Sequence, residues 1–391
     1  MKDRINSERS LRILIATHAP LSLEFGAGQV AINLAEAFRI QGHDVTLWSP
    51  HPMSERPRWW ERFQNMQLIR AQLDKFLDTQ APFDAIDCLG MLITKKVARS
   101  GKLVVARSVQ PEILYTVSSL LDLKYKTFKK VISLPFHCLL RLADILLTLQ
   151  GWERATYILC LGSLELEWMN KWFPWWREKF IVYLNSLSKN EQLELAEVCL
   201  NRTEKYTEGI RFIWIGRWVA HKGIQELTDF IIHRAASNPQ DTFTIAGCGN
   251  NAERDFSPQL ISEGRLRFIP SFERSKLYTL LADHDVGLFT SKIEGWGLSL
   301  NEMLESRLPV FATQSGAVPD LKPFFETLMP FPPPQQIVPT FLSTPHQLES
   351  YYTYFSWDKV AEIYAAKILS NLDLTDRSEH QASKELQVSD Y

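Results

Sequence analysis

The sequence predicts an α/β protein built from two doubly wound, Rossmann-like halves that face each other across a cleft. Three observations predict it. Short, near-continuous apolar runs recur along the chain, as in parallel strands covered on both faces. Glycine turns and helix-period segments follow several of these runs, which is the order of βαβ units. The alternation then restarts after a polar stretch at 188–209, so that one set of units becomes two. A chain of 391 residues is long enough for two domains of ordinary size.

The first unit begins with Leu11 to Thr17, a strand, followed by Gly26-Ala27-Gly28 and a helix from Gln29 to Ile40. Val30, Leu34, Ala37 and Phe38 recur there at helical spacing, and Gly42 ends the helix. Asp44 to Trp48 is the next strand. Further strands are expected at Ala85–Cys88, Leu103–Ala106, Tyr157–Leu161 and Phe180–Tyr183, with a mostly helical segment from Leu120 to Ala155 broken near Pro135. The polar stretch after Ser186 is the expected linker, with room for a helix. Beyond it, strands are expected at Ile210–Ile215, Phe243–Ala246, Leu266–Ile269, Val286–Phe289 and Pro309–Ala312. Helices fall over Leu227–Ala235, Leu277–Ala282 and Leu298–Glu305, and a last amphipathic helix over Trp357–Leu369. The resulting division is an N-terminal domain (1–187), a linker region (188–209), a C-terminal domain (210–355), a helix (356–370) and a polar, disordered tail (371–391).

Composition narrows the function classes. A formal net charge of -2 argues against a protein whose main partner is a nucleic-acid backbone. The five cysteines are scattered and form no C-x-x-C pair, which disfavours a disulfide framework or zinc site and fits a reducing, cytoplasmic setting. No signal-like apolar run opens the sequence, and the most apolar stretch, Val131–Leu140, is too short to span a bilayer. Trp172, Trp175 and Trp176 cluster with Lys171, Arg177 and Lys179. This composition suits peripheral contact with the inner face of a membrane, and a packing cluster equally.

In open α/β sheets, ligands bind beyond the carboxyl ends of the strands, so residues just after strands deserve the closest reading. After Val286–Phe289 comes Glu294-Gly-Trp-Gly-Leu-Ser-Leu-Asn-Glu302. Its glycines permit a tight turn into a helix whose free N–H groups, at Gly297, Leu298 and Ser299, suit a diphosphate. Glu302, one turn in, is placed to accept hydrogen bonds from ribose hydroxyls. After Ile210–Ile215 comes Gly216-Arg217-x4-Lys222-Gly223, in which two fixed cations suit a pyrophosphate leaving group.

These two stretches resemble the E-x7-E and G-R-x4-K-G patterns of retaining GT-B glycosyltransferases, family 4 (glycosyl transferases group 1) in particular. Leu308-Pro-Val-Phe-Ala-Thr313 and Gly316-Ala-Val-Pro-Asp320 are similar to that family's continuation, and Trp296 stands where phenylalanine is commoner. The resemblance implies a GT-B fold whose C-terminal helix crosses back onto the N-terminal domain. It implies that Glu294 faces the donor sugar, that Glu302 holds the nucleotide ribose, and that Arg217 and Lys222 bind the donor diphosphate. It also implies a UDP-, GDP- or ADP-sugar donor as substrate, no metal and no other cofactor, and a glycan or lipid-linked acceptor.

The N-terminal resemblance is thinner. Gly26 and Gly28 resemble the family's glycine loop, so Gly28 is a candidate donor contact, as is Gly247 in the turn Gly247-Cys-Gly249. Arg107-Ser-Val109-Gln-Pro-Glu112 falls where relatives read A-R-S-H-G-x-E. Val109 therefore replaces a histidine near the sugar, while Glu112 is a candidate acceptor or sugar contact. Two rivals stand beside sugar transfer. One is a catalytically inactive GT-B partner or binding protein, for which Val109 is the support. The other is a nicotinamide oxidoreductase, which Ala31 disfavours by standing where the third glycine of G-x-G-x-x-G belongs.

Overall fold

The computed structural model describes residues 9–23, 26–51, 59–109, 111–121, 134–201, 209–337 and 345–388. Among these, twelve strands form two six-stranded sheets in which every neighbouring pair is parallel. The first sheet comprises β1 (Arg12–Ala16), β2 (Asp44–Trp48), β3 (Phe83–Cys88), β4 (Gly101–Arg107), β5 (Tyr157–Leu161) and β6 (Phe180–Tyr183), in the order β2-β1-β3-β4-β5-β6. The second comprises β7 (Arg211–Ile215), β8 (Thr242–Ala246), β9 (Leu266–Ile269), β10 (Val286–Phe289), β11 (Val310–Ala312) and β12 (Leu328–Pro330), in the order β12-β11-β10-β7-β8-β9. Each order reverses direction once, between β1 and β3 and between β7 and β10. Those switch points are where doubly wound sheets open a crevice.

Helices cover both faces of each sheet, and the strands are apolar on both sides for that reason. Ile13 and Ile15 enter one core with the helix Gly26–Ile40, while Leu14 and Ala16 enter another with Ile86, Val104 and Ile158. The first of these cores is continuous with the second half, where it takes in Trp296, Leu300, Phe355 and Tyr364. The far face of the second sheet packs Phe212, Trp214, Leu227 and Ile245.

The helix Leu134–Arg154 carries Pro135 in its first turn, where a missing N–H costs nothing, so the proline begins a helix and does not break one. The link between it and the helix Glu112–Leu121 lies outside the described residues. The expected linker contains the helix Lys189–Asn201, and its continuation through 202–208 also lies outside them. The strand β12 and the helices Trp59–Leu77 and Pro345–Tyr354 go beyond the elements read from sequence.

The last helix runs Trp357–Val388, through most of the stretch that the sequence suggests is a disordered tail. Polarity there misleads. The segment after Asp373 holds no glycine or proline, and its Glu, Lys, Gln, Ala and Leu residues favour helix. This helix returns to the N-terminal half. Gln41 Nε2 donates to the Asp358 carbonyl at 2.8 Å, Phe38 and Tyr364 pack ring to ring at 5.4 Å, and the Tyr364 hydroxyl donates to Asp87 at 2.8 Å.

Candidate active site

The two loops that leave β7 and β10, the strands flanking the second switch point, are knitted together by Thr290. Its hydroxyl donates to the Lys222 carbonyl at 2.8 Å and accepts from Trp214 Nε1 at 3.0 Å. Gly223 has φ +67, and a Cβ there would lie 1.8 Å from the Thr290 carbonyl, so only glycine permits this approach. The Lys292 amide donates to the His221 carbonyl at 2.8 Å. Lys222 is thereby held beside Glu294, and the two side chains form a half-buried ion pair. Ser291 Oγ adds a hydrogen bond to the same Glu294 oxygen at 3.1 Å. Arg217 is exposed, and its guanidinium has no partner among the described residues.

Gly297 caps the helix Leu298–Glu305 with φ +90, and a Cβ there would lie 2.7 Å from the Phe289 ring. Its carbonyl accepts from the Leu300 and Asn301 amides, which leaves the Leu298 and Ser299 amides without acceptors among the described residues. Free amides at a helix start attract anions. Across the cleft stands the start of the first helix, where a Cβ on Gly26 would lie 3.7 Å from the Leu298 side chain. The side-chain direction of Gly28 is filled instead by the carbonyls of Pro20 and Ser22, so its glycine serves the packing of that loop. Gly247 has φ +74 and borders Gly216 and Phe272, beside the end of β7.

Glu302 is 2 % exposed and pairs with Arg274 at 2.5 Å. Burial pushes its carboxyl above the ordinary carboxylate range, and Arg274 opposes that shift. Arg274 also reaches Glu191 of the linker helix at 2.5 Å, and Glu191 accepts from Gln29 Nε2 at 2.7 Å. Neither Arg274 nor Glu191 belongs to a ligand-binding motif read from the sequence. A capping box, Ser188-x-x-Glu191, is the one sequence signal at this place, and the Ser188 amide and hydroxyl both donate to Glu191 at 2.8 Å.

Trp296 is buried, and its indole N–H is satisfied by Asn301 Oδ1 at 2.8 Å, which explains how a larger ring with a polar atom fits where phenylalanine is usual. Its ring lies against Gly162 at the start of the helix Ser163–Trp172. The Ser163 amide donates to Asp320 at 3.0 Å, and Tyr115 packs edge-on against His221 at 4.9 Å, two further contacts between the halves.

The N-terminal strand ends look inward. Arg107 and Asp87 form a buried pair at 2.7 Å, the Tyr183 hydroxyl donates to the Ser108 carbonyl at 2.5 Å, and Ser108 Oγ donates to Glu165 at 2.7 Å. Glu112, read from sequence as an open contact for sugar or acceptor, has both carboxyl oxygens closed off from solvent beside Gly90. The helix Glu112–Leu121 starts at this residue and turns its carboxyl into the core, where burial and then Glu165 push it up to about 8. Val109 packs against the same core. Among the described residues, no group of three or more metal-ligating side chains is assembled.

Residues 200–327 match the sequence profile of the family described as Glycosyl transferases group 1. The chain is similar in structure to the catalytic domain of starch synthase IV from Arabidopsis thaliana bound to ADP and acarbose, with 12% identity over 95% of this chain and 99% of that one, at a TM-score of 0.56. It is likewise similar to a sucrose-phosphate synthase from Thermosynechococcus elongatus (14% identity, 97% and 100% covered, TM-score 0.57). A third likeness is to a UDP-forming α,α-trehalose-phosphate synthase from Burkholderia xenovorans (12% identity, 92% and 95% covered, TM-score 0.54). Comparison with proteins of curated function finds no match. The fold is that of GT-B glycosyltransferases, and the profile match falls on the half that carries Arg217, Lys222, Glu294 and Glu302.

Proposed function

We propose that this protein is a retaining glycosyltransferase that moves a sugar from a UDP-, GDP- or ADP-sugar to a glycan or lipid-linked acceptor at the cytoplasmic side of a membrane, without a further cofactor. The observation that carries the reading is the convergence at the β7/β10 switch point of the Lys222–Glu294 pair, the free Leu298 and Ser299 amides, and Glu302. In this reading Glu294 neutralises Lys222 while no donor is bound. An arriving diphosphate takes over Lys222, with Arg217 and the helix amides as its other partners, and Glu294 turns to the sugar hydroxyls. As the bond from the anomeric carbon to phosphate oxygen breaks, charge develops on the diphosphate beside these fixed donors, which stabilises the transition state. The acceptor hydroxyl bonds to the anomeric carbon on the face being vacated, and its proton passes to a phosphate oxygen.

Thermal stabilisation by UDP-, GDP- and ADP-sugars, compared with an Arg217→Ala, Lys222→Ala double variant, tests the donor site. A ligand that binds the native state alone raises Tm. A shift with one nucleotide family, lost in the variant, is expected. No shift with any donor, or an equal shift in the variant, would sink the reading. Val109 supports the alternative of a catalytically inactive partner, and release of sugar from the stabilising donor separates the two. Peripheral membrane contact is supported by exposed Leu139, Leu142 and Leu146 on one helix, and by Trp172 and Trp175, which are 57 % and 67 % exposed. Co-sedimentation with anionic vesicles, weakened by Trp172→Ser and Trp175→Ser, is the expected result.

A further inference from the structure

Arg274 lies between β9 and the helix Lys276–Ala282, in no recognisable motif. Its Nη2 is 2.5 Å from Glu302 Oε1 and 2.5 Å from Glu191 Oε1, and its Nε is 3.1 Å from the same Glu191 oxygen. Glu191 stands on the helix that joins the two halves and is tied in turn to Gln29 on the first helix. One guanidinium thus connects the nucleotide side of the cleft, the joining helix and the N-terminal half. Two buried carboxylates share it, and without it neither would hold its charge cheaply. A carboxylate has about four lone-pair sites. Arg274 occupies Oε1 of Glu302, and Oε2 takes no partner among the described residues.

We propose that Arg274 is a positioning residue for nucleotide binding: it fixes the Glu302 carboxylate for the ribose hydroxyls, and Glu191 anchors it to the joining helix. This rests on the reading of Glu302 as the ribose anchor. The groups that face Glu302 define the electrostatics. Arg274 and Tyr278 come from one side, and Glu191 from the joining helix. Burial and Glu191 favour a proton on Glu302, while Arg274 opposes it. A protonated carboxyl presents an O–H where the diol needs acceptors, so removing Arg274 makes nucleotide binding depend on pH.

Calorimetric titration of the full chain with UDP, GDP and ADP at pH 6.5, 7.5 and 8.5 tests this, each variant being compared with wild type at the same pH. Arg274→Met is expected to weaken the nucleotide that binds by about tenfold at pH 6.5, with the gap narrowing as pH rises. Arg274→Lys restores much of the loss. The Arg274→Met, Glu191→Gln double variant binds more tightly than Arg274→Met alone, since no second carboxylate opposes ionisation of Glu302. Wild-type affinity in Arg274→Met, or a loss that is equal at every pH with no rescue by Glu191→Gln, overturns the proposal. Glu302→Gln separates the two levels. If it binds like wild type, the ribose reading falls and the proposal with it. If it is weak while Arg274→Met is normal, the proposal alone falls. Should Arg274→Met fail to fold, Arg274→Gln, which also removes the charge, carries the same pH series, and a flat ratio to wild type overturns it.

Discussion

The two halves share a parallel six-stranded plan and use their strand ends in opposite ways. After β7 and β10, charged groups stand at the cleft: Arg217 is exposed, and Lys222 and Glu294 are half-buried and form an ion pair to which Ser291 Oγ adds one hydrogen bond. After β3, β4 and β5 the charged groups turn inward. Asp87, Arg107 and Glu165 are 0 %, 3 % and 5 % exposed and each is hydrogen-bonded to a neighbour, although Arg107 Nη1 has no partner among the described residues, and Tyr364 of the last helix donates to Asp87. Similar residue types near the strand ends therefore stand at the cleft in one half and in the core in the other. What decides is whether the structure supplies the partner or leaves it to a ligand.

Substitutions can break this contrast. The largest effect expected on activity is from Lys222→Ala. It removes a cation from the proposed diphosphate site and leaves Glu294 unpaired, and sugar release from the donor should fall by about 10²–10³-fold with little change in Tm. Arg107→Ala should do the reverse. It strands Asp87 without charge compensation, which costs about 3–5 kcal/mol of stability, while the molecules that remain folded bind nucleotide normally. Denaturant midpoints beside nucleotide titrations check both. If Arg107→Ala abolished nucleotide binding at unchanged stability, the inward cluster would be part of the site and the contrast would fail.

Gly297→Ala sharpens the comparison from the backbone. At φ +90, with the Phe289 ring 2.7 Å from the new Cβ, the substitution combines strain with a clash. A loss of roughly 2–4 kcal/mol is expected, together with weaker nucleotide binding as the helix start shifts. A variant as stable as wild type would show that the turn adapts freely.

The fold was legible because apolar runs buried on both faces are hard to mistake. Tyr157–Leu161, Phe180–Tyr183, Leu266–Ile269 and Val286–Phe289 are the strands that the sequence predicts, residue for residue. The last helix outruns its sequence signal because the polarity of its second half resembles a disordered tail while its helix propensity is good. At the cleft, the placement of the residues around Glu294 after β10 was legible because the glycines of a tight turn mark where the chain enters the next helix. Arg274 and Glu191 were not. They lie 83 residues apart, and each is an unremarkable surface type until the fold brings them together. Glu112 was misplaced for a related reason: sequence spacing sets the helix start but not the side of it that the carboxyl faces.

Glu305 gives the smallest and most specific prediction, because it is the C-terminal half's own inward carboxyl. It is 1 % exposed and accepts from the Tyr351 and Tyr352 hydroxyls at 2.9 and 3.1 Å, and burial pushes it up to about 8. The unfolded chain releases this proton near 4.5, whereas the folded chain keeps it to about 8. Its contribution to stability is therefore fully present below about 4.5 and is lost as pH rises to about 8. Glu305→Gln removes the titration. Relative to wild type, its Tm should rise across that window by roughly 3 °C, from a starting point slightly below wild type at pH 5, where glutamine serves the two tyrosines less well. Melting curves from pH 5 to pH 9 measure the difference. A difference that stays flat with pH would mean that Glu305 is ionised in the folded protein and held so by Tyr351, Tyr352 and Asn301. Glu112 and Glu165 of the N-terminal half, pushed up to about 8 and about 7, would then be the carboxyls to titrate in the same way.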